Sequence, residues 1–164
     1  MTTITPQTDR KPLWRWLLLA ALVIALDQWS KAAIVQRLAV GEAITITPYF
    51  DLLRTYNTGA AFSFLRDAGG WQRWFFTGIA AVASVLILSM LRKSPSVRVS
   101  LALVLVLGGA IGNVIDRVLR SHVIDFLHFH WGTHSFPVFN VADCAITAGA
   151  ALLLLDELLK IRRH

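Results

Sequence analysis

Charge is scarce in this chain: only 16% of its 164 residues are Asp, Glu, Lys or Arg. Cysteine is scarcer. Cys144 stands alone, so no intramolecular disulfide scaffold can form. Collagen-like repeats and disorder are excluded by a composition that is 55% hydrophobic with 10 Gly and 5 Pro. Internal repeats and low-complexity tracts are also missing. What is present is apolar bulk. Six Trp, nine Phe and a mean hydropathy of +0.58 exceed what a core of this size can bury, so the remaining apolar surface needs a bilayer as its solvent. The net charge of +6 is spread at the flanks of apolar segments instead of along one stripe, which reads as membrane topology and argues against nucleic acid as a partner.

Residues 74–91 contain no charge, nor do residues 99–115, and each stretch approaches the roughly 20 residues that cross a bilayer core. Two further apolar segments bring the expected spans to four, at approximately 13–35, 71–91, 98–117 and 137–157. The first could be confused with a removable signal peptide. It continues instead into Asp27-Gln28-Trp29-Ser30-Lys31, where a neutral cleavage site would be needed. The basic clusters Arg10/Lys11/Arg15, Arg92/Lys93/Arg98 and Lys160/Arg162/Arg163 place both termini on the cytoplasmic side. Segments 36–70 and 118–136 then face outward.

In the first outer segment, Ile44 and Ile46 alternate with Thr45 and Thr47 before Pro48, and Phe50 to Tyr56 follow. This predicts two short strands around a turn. Phe62 to Leu65 are apolar but too few to span, which predicts a short interfacial helix. The expected fold is therefore a mainly α membrane protein with four transmembrane helices, a small extracytoplasmic β-sheet and a short interfacial helix, all within one domain, 1–164.

Placed by depth, Asp27, Lys31, Asn113, Asp116, Arg117, Asn140 and Asp143 converge on the outer interface, with Asp143 expected roughly 9 Å below the start of the last helix. Carboxylates in or near lipid are costly and usually functional. Asp27 and Lys31 are spaced i,i+4, acid first, and most simply neutralise one another. Asp116 and Arg117 point about 100° apart and need other partners. Asp125 and Asp143 have no basic residue within a helical turn. Brought together in a poorly solvated site, they would share one proton, which is aspartic-protease chemistry. Read alone, Asp125 is equally an exposed loop acid.

Competing constellations carry less. His122, His128, His130 and His134 cluster in the second outer segment, and His128-Phe129-His130 would place two imidazoles on one side of a strand. A zinc site is conceivable, but no recognised ligand spacing orders them, so exposed or interfacial histidines are the expectation. Cys144 reads as a small packing residue, and Ser63 and Ser135 lack a local base. Gly108-Gly109-Ala110-Ile111-Gly112 predicts close helix packing. Trp14, Trp16, Trp71, Trp74 and Trp131 lie near span ends and read as interface anchors. A proton- or ion-coupled transporter with Asp27, Asp116 and Asp143 as a relay is the reading from another class. It leaves the outer strands unexplained.

Five ordered blocks resemble lipoprotein signal peptidase, the signal peptidase II family: Asp27-Gln28-Trp29-Ser30-Lys31, Asn57-Thr58-Gly59-Ala60-Ala61-Phe62-Ser63, residues 109–117 from Gly109 to Arg117, Val123-Ile124-Asp125-Phe126, and residues 136–143 from Phe136 to Asp143. The resemblance implies Asp125 and Asp143 as the catalytic dyad. It implies Asn57, Asn113, Arg117 and Asn140 as site-lining residues, and Asp27, Lys31 and Asp116 as structural support. It further implies cleavage of diacylglyceryl-modified prolipoproteins on the amino side of the lipidated Cys, with neither metal nor cofactor. Sensitivity to globomycin-type inhibitors, action as a monomer among membrane lipid, and a place in the bacterial cytoplasmic (inner) membrane with the site near its outer face complete what the family implies. The outer sheet and Phe62 to Leu65 would correspond to the family's cradle and lid.

Overall fold

The computed structural model describes residues 12–59, 69–93 and 95–162. Three helices in it are long and apolar enough to cross a membrane: α1 (Leu13–Arg37), α2 (Gln72–Arg92) and α3 (Val97–Arg120). A fourth, α4 (Val141–Ile161), is of similar length but carries Asp143, Asp156, Glu157 and Lys160. The expected interfacial helix at Phe62 to Leu65 lies outside the described residues.

The amphipathic logic of a soluble bundle is inverted here. α3 sits at the centre and buries Ala102, Leu103, Val104 and Leu107 against the other helices. α2 buries only Gln72, Ile87 and Leu91 and turns Ile79, Val82, Val85 and Leu86 outward. Such a surface suits lipid tails, between which helices associate through close packing of small residues. The Gly108–Gly112 stretch supplies that packing. A Cβ at Gly112 would stand 2.6 Å from Asp27 Oδ2, so this position brings the α3 backbone onto an α1 carboxylate.

One end of the bundle carries a four-stranded antiparallel sheet in the order β1 (Ala43–Thr47), β2 (Phe50–Asn57), β3 (Val123–Trp131), β4 (His134–Ser135). The alternation at 44–47 anticipates its first hairpin. β3 escapes a period-two reading because its first four residues, Val123 to Phe126, are all buried, so no polar face alternates with an apolar one. Register places Asn57 opposite Val123 and Thr55 opposite Asp125, with a bulge in β2 between Leu52 and Thr55.

The last helix starts four residues later than its apolar pattern suggests. Pro137, Val138 and Phe139 stay outside the helix, and Phe139 exchanges backbone hydrogen bonds with Leu127 at 2.8 and 3.1 Å. Asn140 is then the N-cap and Asp143 the third helical residue, joined in a reciprocal capping box. Asp143 thus stands in the first turn of α4, closer to the helix mouth than the expected 9 Å. Of the tryptophans read as anchors, Trp14, Trp71, Trp74 and Trp131 are exposed, whereas Trp16 packs against the core.

Candidate active site

The site is built on a buried charge cluster. Lys31 Nζ lies 2.8 Å from Asp27 Oδ2 one turn away and 2.9 Å from Asp116 Oδ2 on α3, and it donates to Asn113 Oδ1 at 3.1 Å. Asp116 also pairs with Arg120 at 2.5 Å. Two acids and two bases balance, and Asp27, Lys31 and Asp116 are fully buried. Remaining acceptor capacity is used as well: Asp27 Oδ1 accepts the Ala142 N–H at 2.9 Å and Asp116 Oδ2 accepts the Ile124 N–H at 3.2 Å. Gln28 spans the pair, donating to Asp27 Oδ2, Asp116 Oδ1 and the Gly112 carbonyl. α1, α3, β3 and α4 are all tied to this cluster.

Directly above it stand two carboxylates of another kind. Asp125 Oδ1 accepts from Asn140 Nδ2 at 2.7 Å, and Asp125 Oδ2 accepts from Asn57 Nδ2 at 3.0 Å. Asp143 Oδ1 accepts from Asn113 Nδ2 at 2.8 Å, and its Oδ2 from the Asn140 backbone N–H at 3.2 Å. Among the described residues neither carboxylate forms an ion pair; both are held by neutral amides. Burial, and after it the negative charge of Asp143, push the Asp125 carboxyl up to about 7. Such a group exchanges its proton near neutral pH.

Both carboxylates open onto a cavity of about 800 Å³ whose walls are mostly apolar, among them Phe136, Val138, Phe139 and Ile146. Arg117 reaches the same cavity. Its guanidinium donates to the Gly59 carbonyl at 3.0 Å and lies over the Phe76 ring at 5.2 Å, while its buried Nε has no hydrogen-bond partner among the described residues. Cys144 is exposed and lines the cavity. It differs here from its expected packing role, because Ala142, Ala145 and Gly149 carry the buried face of α4.

Asn57, Asp125, Asn140, Asn113, Asp143, Lys31, Asp27 and Asp116 therefore form one continuous hydrogen-bonded network, with Arg117 beside it. Gln28 and the Gly59 carbonyl join it with no role foreseen. Gln28 was visible only as the neighbour of Asp27, and a backbone carbonyl leaves no mark in a sequence. Ser63 lies outside the described residues.

Comparison with known proteins gives this arrangement a relative at every level. The Signal peptidase (SPase) II family matches residues 19–159. The chain belongs to the signal peptidase II family. Lipoprotein signal peptidase of Cupriavidus taiwanensis is 53% identical over 150 residues, covering 91% of this chain and 85% of that protein. Lipoprotein signal peptidase of Tolumonas auensis is 52% identical over 149 residues, covering 89% and 91%. A solved bacterial membrane enzyme, determined by the in meso method, superposes with a TM-score of 0.81 at 29% identity over 90% of this chain and 89% of its own. A second gives 0.77 at 28%, over 88% and 92%. Membership in signal peptidase II makes the protein a protease of lipoprotein processing, built on membrane helices, and the transporter reading falls away.

Proposed function

We propose that this signal peptidase II is an aspartic endopeptidase that removes the signal peptide from diacylglyceryl-modified prolipoproteins, cutting on the amino side of the lipidated Cys. One observation carries the reading: Asn140 holds Asp125 with its side chain and Asp143 with its backbone at the mouth of an apolar cavity. Two carboxyls so placed can share one proton.

In this reading Asp125 carries the shared proton and Asp143 is ionised. Water attacks the scissile carbonyl carbon, Asp143 takes the water proton, and Asp125 gives its proton to the carbonyl oxygen. The tetrahedral intermediate collapses with cleavage of the C–N bond. Its nitrogen takes the proton now on Asp143 while Asp125 recovers one from a hydroxyl of the intermediate, leaving a carboxylic acid on the signal peptide, a free amine on the lipidated Cys and the dyad in its starting protonation. The apolar cavity excludes bulk water and strengthens each hydrogen bond at the reacting atoms. Asn57, Asn113, Asn140 and Arg117 line the site, with Arg117 placed to hold a substrate carbonyl. Asp27, Lys31 and Asp116 keep α1, α3, β3 and α4 in register.

The whole chain, 1–164, acts as one domain with α4 as a fourth span, both termini cytoplasmic, and the site near the outer face of the bacterial inner membrane. The three basic clusters and the placement of the sheet at one end of the bundle support that topology. The test is cleavage of a diacylglyceryl-modified prolipoprotein by purified protein in detergent, beside Asp125→Asn and Asp143→Asn. Loss in both variants upholds the dyad, and cleavage retained in either removes it.

A further inference from the structure

The histidines of the outer sheet do not lie scattered on its surface. Asp51 on β2 pairs in register with His128 on β3. Its Oδ2 lies 2.9 Å from His130 Nε2 and 3.5 Å from His128 Nδ1, and all three donor atoms fall within 4.8 Å of one another. Yet among the described residues His128 Nδ1, His130 Nε2 and Asp51 Oδ1 are buried without a well-aligned hydrogen-bond partner, although Thr45 of β1 also faces Asp51. Orphaned polar atoms in such a cluster call for an explanation.

Hydrogen bookkeeping supplies one. His128 Nε2 lies 2.7 Å from Ser135 Oγ on β4, and that hydroxyl donates to the Phe136 carbonyl at 3.5 Å. With the Ser135 proton on that carbonyl, Ser135 accepts from Nε2, and the corresponding neutral tautomer of His128 turns the lone pair of Nδ1 toward a carboxylate. Two acceptors face each other, so a cation belongs between them. In a chelate each donor aims at a shared point instead of at its neighbour. Donors about 2.0–2.2 Å from a tetrahedral ion stand roughly 3.3–3.5 Å apart, a spacing that the 3.5 Å His128–Asp51 contact already has and that the 2.9 Å His130–Asp51 contact reaches by opening about 0.5 Å. A Ser135–His128–Asp51 nucleophile fits less well, because Asp51 Oδ2 stands 3.5 Å from His128 Nδ1, long for an acceptor that must hold the imidazole in place.

We propose that Asp51, His128 and His130 bind a divalent transition-metal ion of the zinc class, with Ser135 fixing the tautomer of His128 from behind. Two imidazoles and one carboxylate suit zinc and its neighbours, whereas calcium and magnesium take oxygen donors. The second-layer hydrogen bond on the far nitrogen is the usual accompaniment of a ligating histidine. The ion would clamp β2 to β3 and, through Ser135, β4. Alternation along β3 puts His128 on the face opposite Asp125, about 10 Å along the strand, so the clamp takes no part in peptide cleavage.

The test uses tag-free protein in detergent, stripped by a chelator, dialysed and then offered Zn2+ or Co2+ alone. The expected result is one metal ion per chain by mass-spectrometric metal analysis and a visible Co2+ absorption band, with the thermal midpoint raised by Zn2+. His130→Ala and Asp51→Asn lose both signals, while His134→Ala, which alters a histidine outside the cluster, keeps them. A folded wild-type chain that retains no ion at tenfold molar excess overturns the proposal and leaves a proton as the bridging cation. Equal binding by wild type and both cluster variants overturns it too, by placing the metal elsewhere.

Discussion

Asn140 donates to Asp125 Oδ1 at 2.7 Å with the same side chain whose oxygen accepts the Asp143 backbone N–H at 3.0 Å. Helix capping and carboxylate positioning are thus one event. Asn140→Ser keeps an N-cap acceptor but removes the amide donor to Asp125. The expected outcome is a chain whose thermal midpoint is little changed but whose kcat falls about 10²-fold, with a displaced pH profile. Asn140→Ala loses the cap as well and adds a stability cost of about 1 kcal/mol. Equal kcat in Asn140→Ser and wild type would detach Asn140 from the dyad.

Asp125→Asn and Asp143→Asn keep side-chain volume but remove a titrating carboxyl. Turnover of a diacylglyceryl-modified prolipoprotein is expected to fall by at least roughly 10²–10⁴-fold in each, with the helical circular dichroism signal retained.

The pH dependence follows from Asp125, whose carboxyl is pushed by burial up to about 7 in the folded chain from the ordinary aspartate value of about 3.8. Cleavage should decline as pH rises through about 7, when the shared proton is lost. Stability has the same sign. Between about pH 4 and 7 the folded state holds a proton that the unfolded state has released, so this group's contribution is complete below the lower value and disappears as pH rises through the upper one. Asp125→Asn should flatten that slope in detergent melting curves, and an unchanged slope would assign it to other groups.

Lys31→Met removes the cation that Asp27 and Asp116 share in a fully buried setting. Breaking a buried pair on one side costs about 3–5 kcal/mol. The expected readout is a large fall in thermal midpoint and in the yield of folded protein. Lys31→Met combined with Asp27→Asn, which lowers the stranded charge, should recover part of it.

Arg117→Lys tests the guanidinium. An ammonium cannot donate to the Gly59 carbonyl and the cavity through a planar fork. Processing at limiting substrate is expected to drop about tenfold or more, with the effect larger on kcat/KM than on the melting temperature.

How far the site could be read from the residues depended on whether each partner lay near in sequence. Asp27 and Lys31 announce themselves by i,i+4 spacing. The orphan status of Asp125 and Asp143 is legible because neither has a base nearby, and the ordered blocks carry the family. The convergence of Asn57, Asn113 and Asn140 on that pair depends on β2–β3 register and on the late start of α4. Both were hidden: Val123 to Phe126 is buried throughout, and Pro137 to Phe139 has the apolar character of a helix start although Phe139 hydrogen-bonds as a strand residue. His128 and His130 were visible as a pair, but Asp51 meets them only across the sheet.

The buried charge cluster also bears on how the chain reaches the bilayer. Asp27 and Lys31 are an i,i+4 pair within α1, and Asp116 and Arg120 an i,i+4 pair within α3. Each of these pairs can therefore enter lipid already neutral, before the other helix has arrived. Only on docking does Lys31 gain its second carboxylate. Insertion and assembly are thereby separated: single helices carry charges that cancel within one turn, and the same charges later act as the lock between helices.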